Sequence, residues 1–284
     1  MADDAKEPVL RFENVSLTFD GETNAVDDVS FQVLAGETRV IFGAAGSGKS
    51  VLLKLALGLL KPTEGRIFLF GNEISTMDEH HLYALRSKIG VLFQEGGLFD
   101  SMTIEENVAY PLLFQQARAG TQNGAGAPTP DGVNGKVREA LRFVELEQTL
   151  DKFPAELSGG MRRRVGIARA AVTDPPLMLY DSPTAGLDPI TANTIITLIL
   201  KARDTRNTTS MIVTHRYQDG HLLANFRYNP QSGEIEPVSS AQGLQQSRTV
   251  FMVFQAGRLV FQGNQQELED ATDPYVAKFK AVKS

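Results

Sequence analysis

The run Gly43-Ala44-Ala45-Gly46-Ser47-Gly48-Lys49-Ser50 fits the pattern G-x-x-x-x-G-K-[ST], and its residue types suit one task, gripping a chain of phosphates. Glycine at 43, 46 and 48 lets the backbone wrap closely, so that successive N–H groups point at phosphate oxygens. A strand-like run, RVIFG, leads into the loop and a helix-like run, SVLLKLAL, leads out of it. The helix beginning near Lys49 adds the positive end of its dipole. In that setting the Lys49 ammonium reaches β- and γ-phosphates, and the Ser50 hydroxyl ligates Mg²⁺. Gly43 through Val51 is therefore the first candidate binding segment.

Two further segments carry chemistry of the same kind. LMLYD is an apolar strand ending in Asp181, a carboxylate that can hold a water on Mg²⁺. Taken alone, such an Asp is more often a turn or cap residue; its weight comes from the phosphate loop elsewhere in the chain. LSGGMRRRVGIARA, from Leu157, places Ser158, Gly159 and Gly160 at the start of a long helix. Ser158 is a natural N-cap. It is also a candidate second anion site, with its hydroxyl and the Gly159 and Gly160 amides facing a phosphate. A chain that already owns one phosphate cradle has use for a second if that one serves a nucleotide held by another chain.

The elements that must position these residues follow from hydrophobic patterning. Residues 8–34 alternate apolar and polar around a turn-like DGET, which predicts antiparallel strands. Continuous apolar runs at 37–43, 88–94, 177–181 and 209–215 predict parallel strands covered on both faces. Helical patterns separate them at about 48–61, 135–150, 158–173 and 189–206. The expected fold is α/β, with an all-helical lobe at about 95–170 inserted into the core. A strand pair is expected at 249–263, and the polar stretches 120–135 and 229–247 read as loops. The end of the chain, PYVAKFKAVKS, spaces Tyr275, Phe279 and Val282 as an amphipathic helix that rests on the core or docks another subunit.

Composition narrows the function classes. The chain has 284 residues, 42% hydrophobic and 22% charged, with a net charge of −6 and no cysteine. Disulfides, thiolate metal sites and cysteine nucleophiles are excluded. The charge disfavours bulk nucleic-acid binding, and the one basic cluster, Arg162–Arg164, fits a helix face. MADDAKEPVL lacks the apolar core of a signal peptide, and VLLKLALGLL at 51–60 is too short to span a bilayer. A membrane role is expected to run through a partner.

In this order, GAAGSGKS, LSGGM, LMLYD and Thr214-His215 resemble the ATPases of ABC transporters, over about residues 8–263. The resemblance implies a P-loop NTPase (RecA-like) core, an N-terminal antiparallel β-subdomain, the inserted helical subdomain and a tail at 264–284. It implies a head-to-tail dimer of two copies, with ATP and Mg²⁺ between one chain's phosphate loop and the other's Ser158–Gly160. Gln94 matches the γ-phosphate and Mg²⁺ sensor that also couples to the membrane subunit. Asp188, in AGLD, matches the residue that crosses the dimer seam, and His215 the histidine that contacts the γ-phosphate. Phe19 sits where the family stacks an aromatic ring on adenine. FQEGGLFDSMTIEENVAYPL at 93–112, with the LSGGM segment, is similar to the MlaF/Mkl branch, ATPases of phospholipid transporters of the Mla or Mce type. That implies an integral membrane permease, Mce-domain and small regulatory subunits as partners, and the cytoplasmic face of the inner membrane as location.

One position departs from the family. Where a glutamate usually follows the strand-end aspartate and activates water, this chain has Ser182. A hydroxyl cannot serve as that base at neutral pH. General-base catalysis contributes about 10²–10⁴-fold, roughly 2.7–5.4 kcal/mol of barrier. Three outcomes are open: slow hydrolysis supported by Gln94 and His215, pairing with a subunit that supplies the glutamate, or an ATP-closed clamp that hardly turns over. Slow hydrolysis in a homodimer is the favoured expectation.

Overall fold

In the computed structural model, residues 7–94, 96–119, 130–238 and 248–280 are described. The alternating N-terminal segment forms β1 (Leu10–Thr18) and β2 (Asn24–Val33), paired antiparallel. A buried strand, β3 (Thr38–Gly43), then runs into the phosphate-loop segment and α1 (Lys49–Ala56). Two strands without a sequence forecast, β4 (Glu64–Leu69) and β5 (Asn72–Glu73), complete a four-stranded antiparallel sheet of order β2-β1-β4-β5. Phe12 and Phe31 stack across β1 and β2 at 4.6 Å, one of the aromatic cross-strand contacts that hold such a sheet.

After α2 (Glu79–Arg86) and β6 (Ile89–Leu92) come three helices: α3 (Ile104–Ala119), α4 (Pro130–Phe143) and α5 (Gly159–Ala171). No strand lies among the described residues of this stretch. The helix α4 begins inside the segment expected to be a loop. Pro130 suits a helix start, and Val133, Val137, Leu141 and Val144 are buried at helical spacing, so burial outweighs two glycines. Residues 120–129 of the expected loop lie outside the described residues. The chain continues through β7 (Leu177–Asp181), α6 (Pro189–Arg206), β8 (Thr209–Val213) and α7 (Tyr217–Asn225). Part of the expected loop at 229–247 is a short hairpin, β9 (Phe226–Tyr228) with β10 (Ile235–Pro237). The strands β11 (Thr249–Gln255) and β12 (Arg258–Gly263) form the expected pair, followed by α8 (Gln265–Asp270). The final amphipathic helix is instead one 3₁₀ turn, Val276–Phe279, and Val282 lies outside the described residues.

Six strands form the central sheet in the order β12-β11-β3-β8-β7-β6, parallel except for the β11–β12 hairpin. Its side chains alternate between two cores. Phe42, Tyr180, Ile212 and Phe251 join a cluster with α3 through α7, while Ile41, Leu179, Met211 and Phe254 join one with α1 and the antiparallel sheet. Burying each such side chain contributes about 1.5–3 kcal/mol, so register is firmly set. With register fixed, the carboxyl ends of β3, β6, β7 and β8 line up at one edge, the place where open α/β sheets bind ligands.

Candidate nucleotide site

The loop after β3 turns into α1 through Gly48, whose φ of +100° favours glycine. A Cβ there would run into the Ala25 carbonyl, so the close approach of β2 to the loop also requires glycine. The loop is held from two other directions. The Gly257 N–H, from the β11–β12 turn, donates to the Ser47 carbonyl at 3.2 Å. The Ala44 N–H donates to the Tyr275 hydroxyl at 3.0 Å, and that hydroxyl donates to the Phe254 carbonyl at 3.0 Å. Lys49 is buried, and its ammonium donates to the carbonyls of Gly43 and Ala44 at 2.9 and 2.7 Å and to Ser47 Oγ at 3.2 Å. Burial lowers its pKa, and the nearby Asp181 carboxylate works against that. Ala45, Gly46 and Ser50 are exposed on the cradle, and Val51, the third residue of α1, is half-buried.

Asp181 ends β7 beside Val213 of β8, and the Ser182 N–H donates to the Val213 carbonyl at 2.9 Å. The Thr214 N–H donates to the Ile41 carbonyl at 3.1 Å, which draws the β8 exit against β3. His215 follows, two residues beyond its strand, and reaches solvent. Desolvation lowers its pKa and the Lys49 charge lowers it further, while a hydrogen bond to the Gly43 backbone and the Asp181 charge oppose them. The charges of Lys49 and Asp181 therefore act on His215 at a single edge. Ser182 is buried with φ +51°, and its hydroxyl donates to Asp181 Oδ1 at 3.3 Å.

The remaining predicted residues fall in two groups. Gln94 lies in a turn two residues past β6, exposed, rather than on the strand itself. Phe19 occupies the loop between β1 and β2 and is 67% exposed, an apolar ring with little protein cover. Ser158 caps α5, accepting from the Met161 N–H at 3.2 Å, so the capping role is real; Ser158 and Gly159 are also exposed. A Cβ on Gly160 would collide with Thr191, which sets the α5 tip against the start of α6. Asp188 caps α6 by accepting from the N–H groups of Ile190 and Thr191, both at 3.0 Å; a hydrogen bond from the Thr191 side chain, with these backbone bonds, holds its carboxyl below the usual range. Ile190 beside it is 81% exposed, so this second patch is polar at the helix tips and apolar between them.

Sequence reasoning missed several residues that organise the site. Asp219, buried in α7, accepts at one carboxylate oxygen from Thr184 and Thr214 hydroxyls at 2.5 and 2.6 Å, tying the loop after Ser182 to the residue before His215. Arg163 is buried, so the Arg162–Arg164 run does not form a single basic helix face. Tyr275 was read only as an apolar face residue, yet its hydroxyl buttresses the cradle. Neither Asp219 nor Arg163 had a signal beyond its residue type; Tyr275 had only its spacing.

The donor set suits a magnesium-bound nucleoside triphosphate. The cradle offers turned backbone and a buried ammonium for phosphate oxygens, and the Ser50 hydroxyl with the Asp181 carboxylate offers the hard oxygen ligands that Mg²⁺ prefers. The family model for "ABC transporter" matches residues 26–185. The chain is 39% identical over 195 residues to a probable ribonucleotide transport ATP-binding protein, mkl, of Mycobacterium leprae, covering 69% of this chain and 53% of that one. It is 35% identical over 216 residues to the methionine import ATP-binding protein MetN of Bifidobacterium longum, covering 74% and 51%. It thus spans about half the length of these curated relatives. Among solved structures it is similar to a dimeric ATP-binding cassette in a post-hydrolysis state with ADP and Pi, with a TM-score of 0.72 and 29% identity over 90% of this chain and 98% of that one. The motifs, the sheet edge that gathers them and these likenesses agree: the chain belongs to the ABC transporter family, as an ATP-binding cassette.

Proposed function

We propose that this chain is the ATP-hydrolysing subunit of a membrane transporter for lipid, working as a head-to-tail pair of identical copies on the cytoplasmic face of the inner membrane. The observation that carries the reading is the gathering of Lys49, Asp181 and His215 at one sheet edge, where the Asp181 charge acts on both the lysine and the histidine, together with the exposed start of α5 on the same chain. In the assigned roles, Gly43–Val51 cradle the phosphates, Phe19 stacks on adenine, and Ser50, Gln94 and Asp181 hold Mg²⁺. Ser158, Gly159 and Gly160 cap the nucleotide of the second copy, with Asp188 beside them. Bound Mg²⁺ supplies positive charge to the phosphate oxygens. His215, whose pKa is lowered by desolvation and by the Lys49 charge, contacts the γ-phosphate and orients the attacking water with Gln94.

Docking of a permease is supported by an apolar cleft of 520 Å³ between the β6 exit and α3, lined by Phe93, Phe99, Tyr110 and Phe114. These rings stand open, with Phe93 50% exposed, and Tyr110 stacks on Phe114 at 5.8 Å. Exposed aromatic patches of this kind mark sites where another protein docks. Among the described residues no helix is long and apolar enough to cross a membrane. The relatives named above are called ATP-binding proteins of ribonucleotide transport and of methionine import, so lipid cargo rests on residues 93–112 and the LSGGM segment. Mce-domain and small regulatory subunits belong to the same reading, as does the division into a cassette at 8–263 and a tail at 264–284.

Ser182 makes turnover slow. Its hydroxyl is tied to Asp181 and cannot take a proton from water, so positioning and charge supply what catalysis there is. In the transporter purified with its membrane partner, Ser182→Glu raises steady-state phosphate release by about tenfold or more, at nearly unchanged nucleotide affinity. A rate that stays level or falls contradicts the missing-base account. ATP-dependent transfer of phospholipid between vesicles by the same complex tests the cargo; transfer without ATP, or none, contradicts it.

A further inference from the structure

The helix α5 faces two ways. Its tip is exposed at Ser158 and Gly159, while Arg163, at the start of the second turn, points into the chain and is buried. The Arg163 Nε donates to the Gln94 carbonyl at 2.9 Å, and its Nη1 donates to the Pro183 carbonyl at 3.1 Å. Gln94 follows β6, and Pro183 adjoins Ser182 after β7, so one guanidinium joins α5 to two strand exits on the sheet edge. Farther along the helix, Arg169 donates to the carbonyls of Gly97 and Gly96 at 2.7 and 3.1 Å. Between the two arginines, a Cβ on Gly166 would stand 2.7 Å from Leu92 and 3.0 Å from the Gly96 carbonyl, so the helix lies directly on the turn.

A guanidinium is a rigid fork with several donors, able to hold two diverging carbonyls at once; an ammonium is a point charge on a flexible stem. Arg163 thus links α5 across to the loop after Asp181. We infer that Arg163 is a positioning residue coupling the two nucleotide sites of the dimer. When the exposed α5 tip engages the partner's nucleotide, the fork carries that displacement to Gln94 and to the segment holding Ser182, which face this chain's own nucleotide. The inference rests on the shared-nucleotide dimer proposed above. Coupling of this kind is reciprocal, so each site's occupancy sets the other's affinity.

The test uses the full chain, wild type, Arg163→Lys and Arg163→Met, with ADP affinity read by fluorescent-nucleotide displacement and ATP-driven dimerisation by sedimentation. ADP reports the cradle alone. Both variants keep ADP affinity within about twofold, while ATP-driven dimerisation weakens by about tenfold and ATP binding loses its cooperativity, a size within the usual range for allosteric coupling. A merely structural arginine would lower ADP affinity and thermal stability together, and that result overturns the inference. So does unchanged dimerisation in both variants. Where Arg163→Met fails to fold, Arg163→Lys carries the comparison, since it keeps the charge and loses the fork. Wild-type chain that binds no nucleotide overturns the shared-site reading and the fork with it; wild-type dimerisation matched by the variants overturns the fork alone.

Discussion

The two segments proposed to face phosphate differ in how complete they are. The cradle at 43–51 is braced by Ala25, Gly257 and Tyr275, and its lysine is buried against loop carbonyls. The tip of α5 is capped, with Ser158 and Gly159 exposed beside an Ile190 with almost no cover. One segment is finished within the chain. The other presents polar groups and an apolar side chain outward, as a surface does when a second molecule completes it. On the proposed reading, nucleotide binding is built into the fold, and whatever depends on closure is left to an encounter.

Lys49→Ala breaks the comparison at its stronger end. Removing the charge from the braced cradle weakens nucleotide affinity by about a hundredfold, the upper range for a charged hydrogen bond, as isothermal calorimetry would show. Retained affinity would mean that the cradle is not where phosphate binds. At the outward-facing side, the double change Tyr110→Ala and Phe114→Ala lowers recovery of the membrane partner in a pull-down by about tenfold, in line with aromatic hot spots, and leaves ATP affinity unaltered. Parallel loss of both would show that the cleft belongs to the nucleotide site.

Asp219→Ala sharpens the contrast by loosening the braced side without touching ligand. It strands the Thr184 and Thr214 hydroxyls, and urea unfolding should show a loss of about 2 kcal/mol or more. The smallest effect is on His215. Its pKa is depressed, so its contribution to stability is present above the ordinary value of 6.5 and is lost as pH falls through the lower folded value. NMR titration of the ring should place its pKa below 6.5, and Lys49→Ala should raise it by removing a like charge. A downward move would contradict the shared edge.

What could be read in the sequence was local. The phosphate loop, the LSGGM helix start and the apolar strands each lie within a short contiguous stretch, so residue type and spacing suffice. Arg163 shows where that fails. Successive helical residues point about 100° apart, so three adjacent arginines face three directions. Arg162 reaches the Leu157 carbonyl, Arg164 the Val144 carbonyl, and only Arg163 turns to the sheet edge. Packing decides among them, and packing is not in the pattern. The start of α4 was hidden for a related reason, since glycine and proline suggest a loop while burial at every fourth residue imposes a helix. The C-terminal segment kept its apolar spacing but not its helix: Phe279 stacks on Phe42 at 5.9 Å and Tyr275 reaches the cradle, contacts that one 3₁₀ turn satisfies.

The central claim is that each nucleotide is held by two chains. Because the chain has no cysteine, Ala45→Cys and Ser158→Cys can be introduced as the only thiols. A short bifunctional thiol reagent should then yield a covalent dimer, linked between those two positions of different chains, that requires ATP and Mg²⁺ and disappears in the Lys49→Ala background. A cross-link that forms equally without nucleotide, or an ATP-bound chain that yields none, would contradict it.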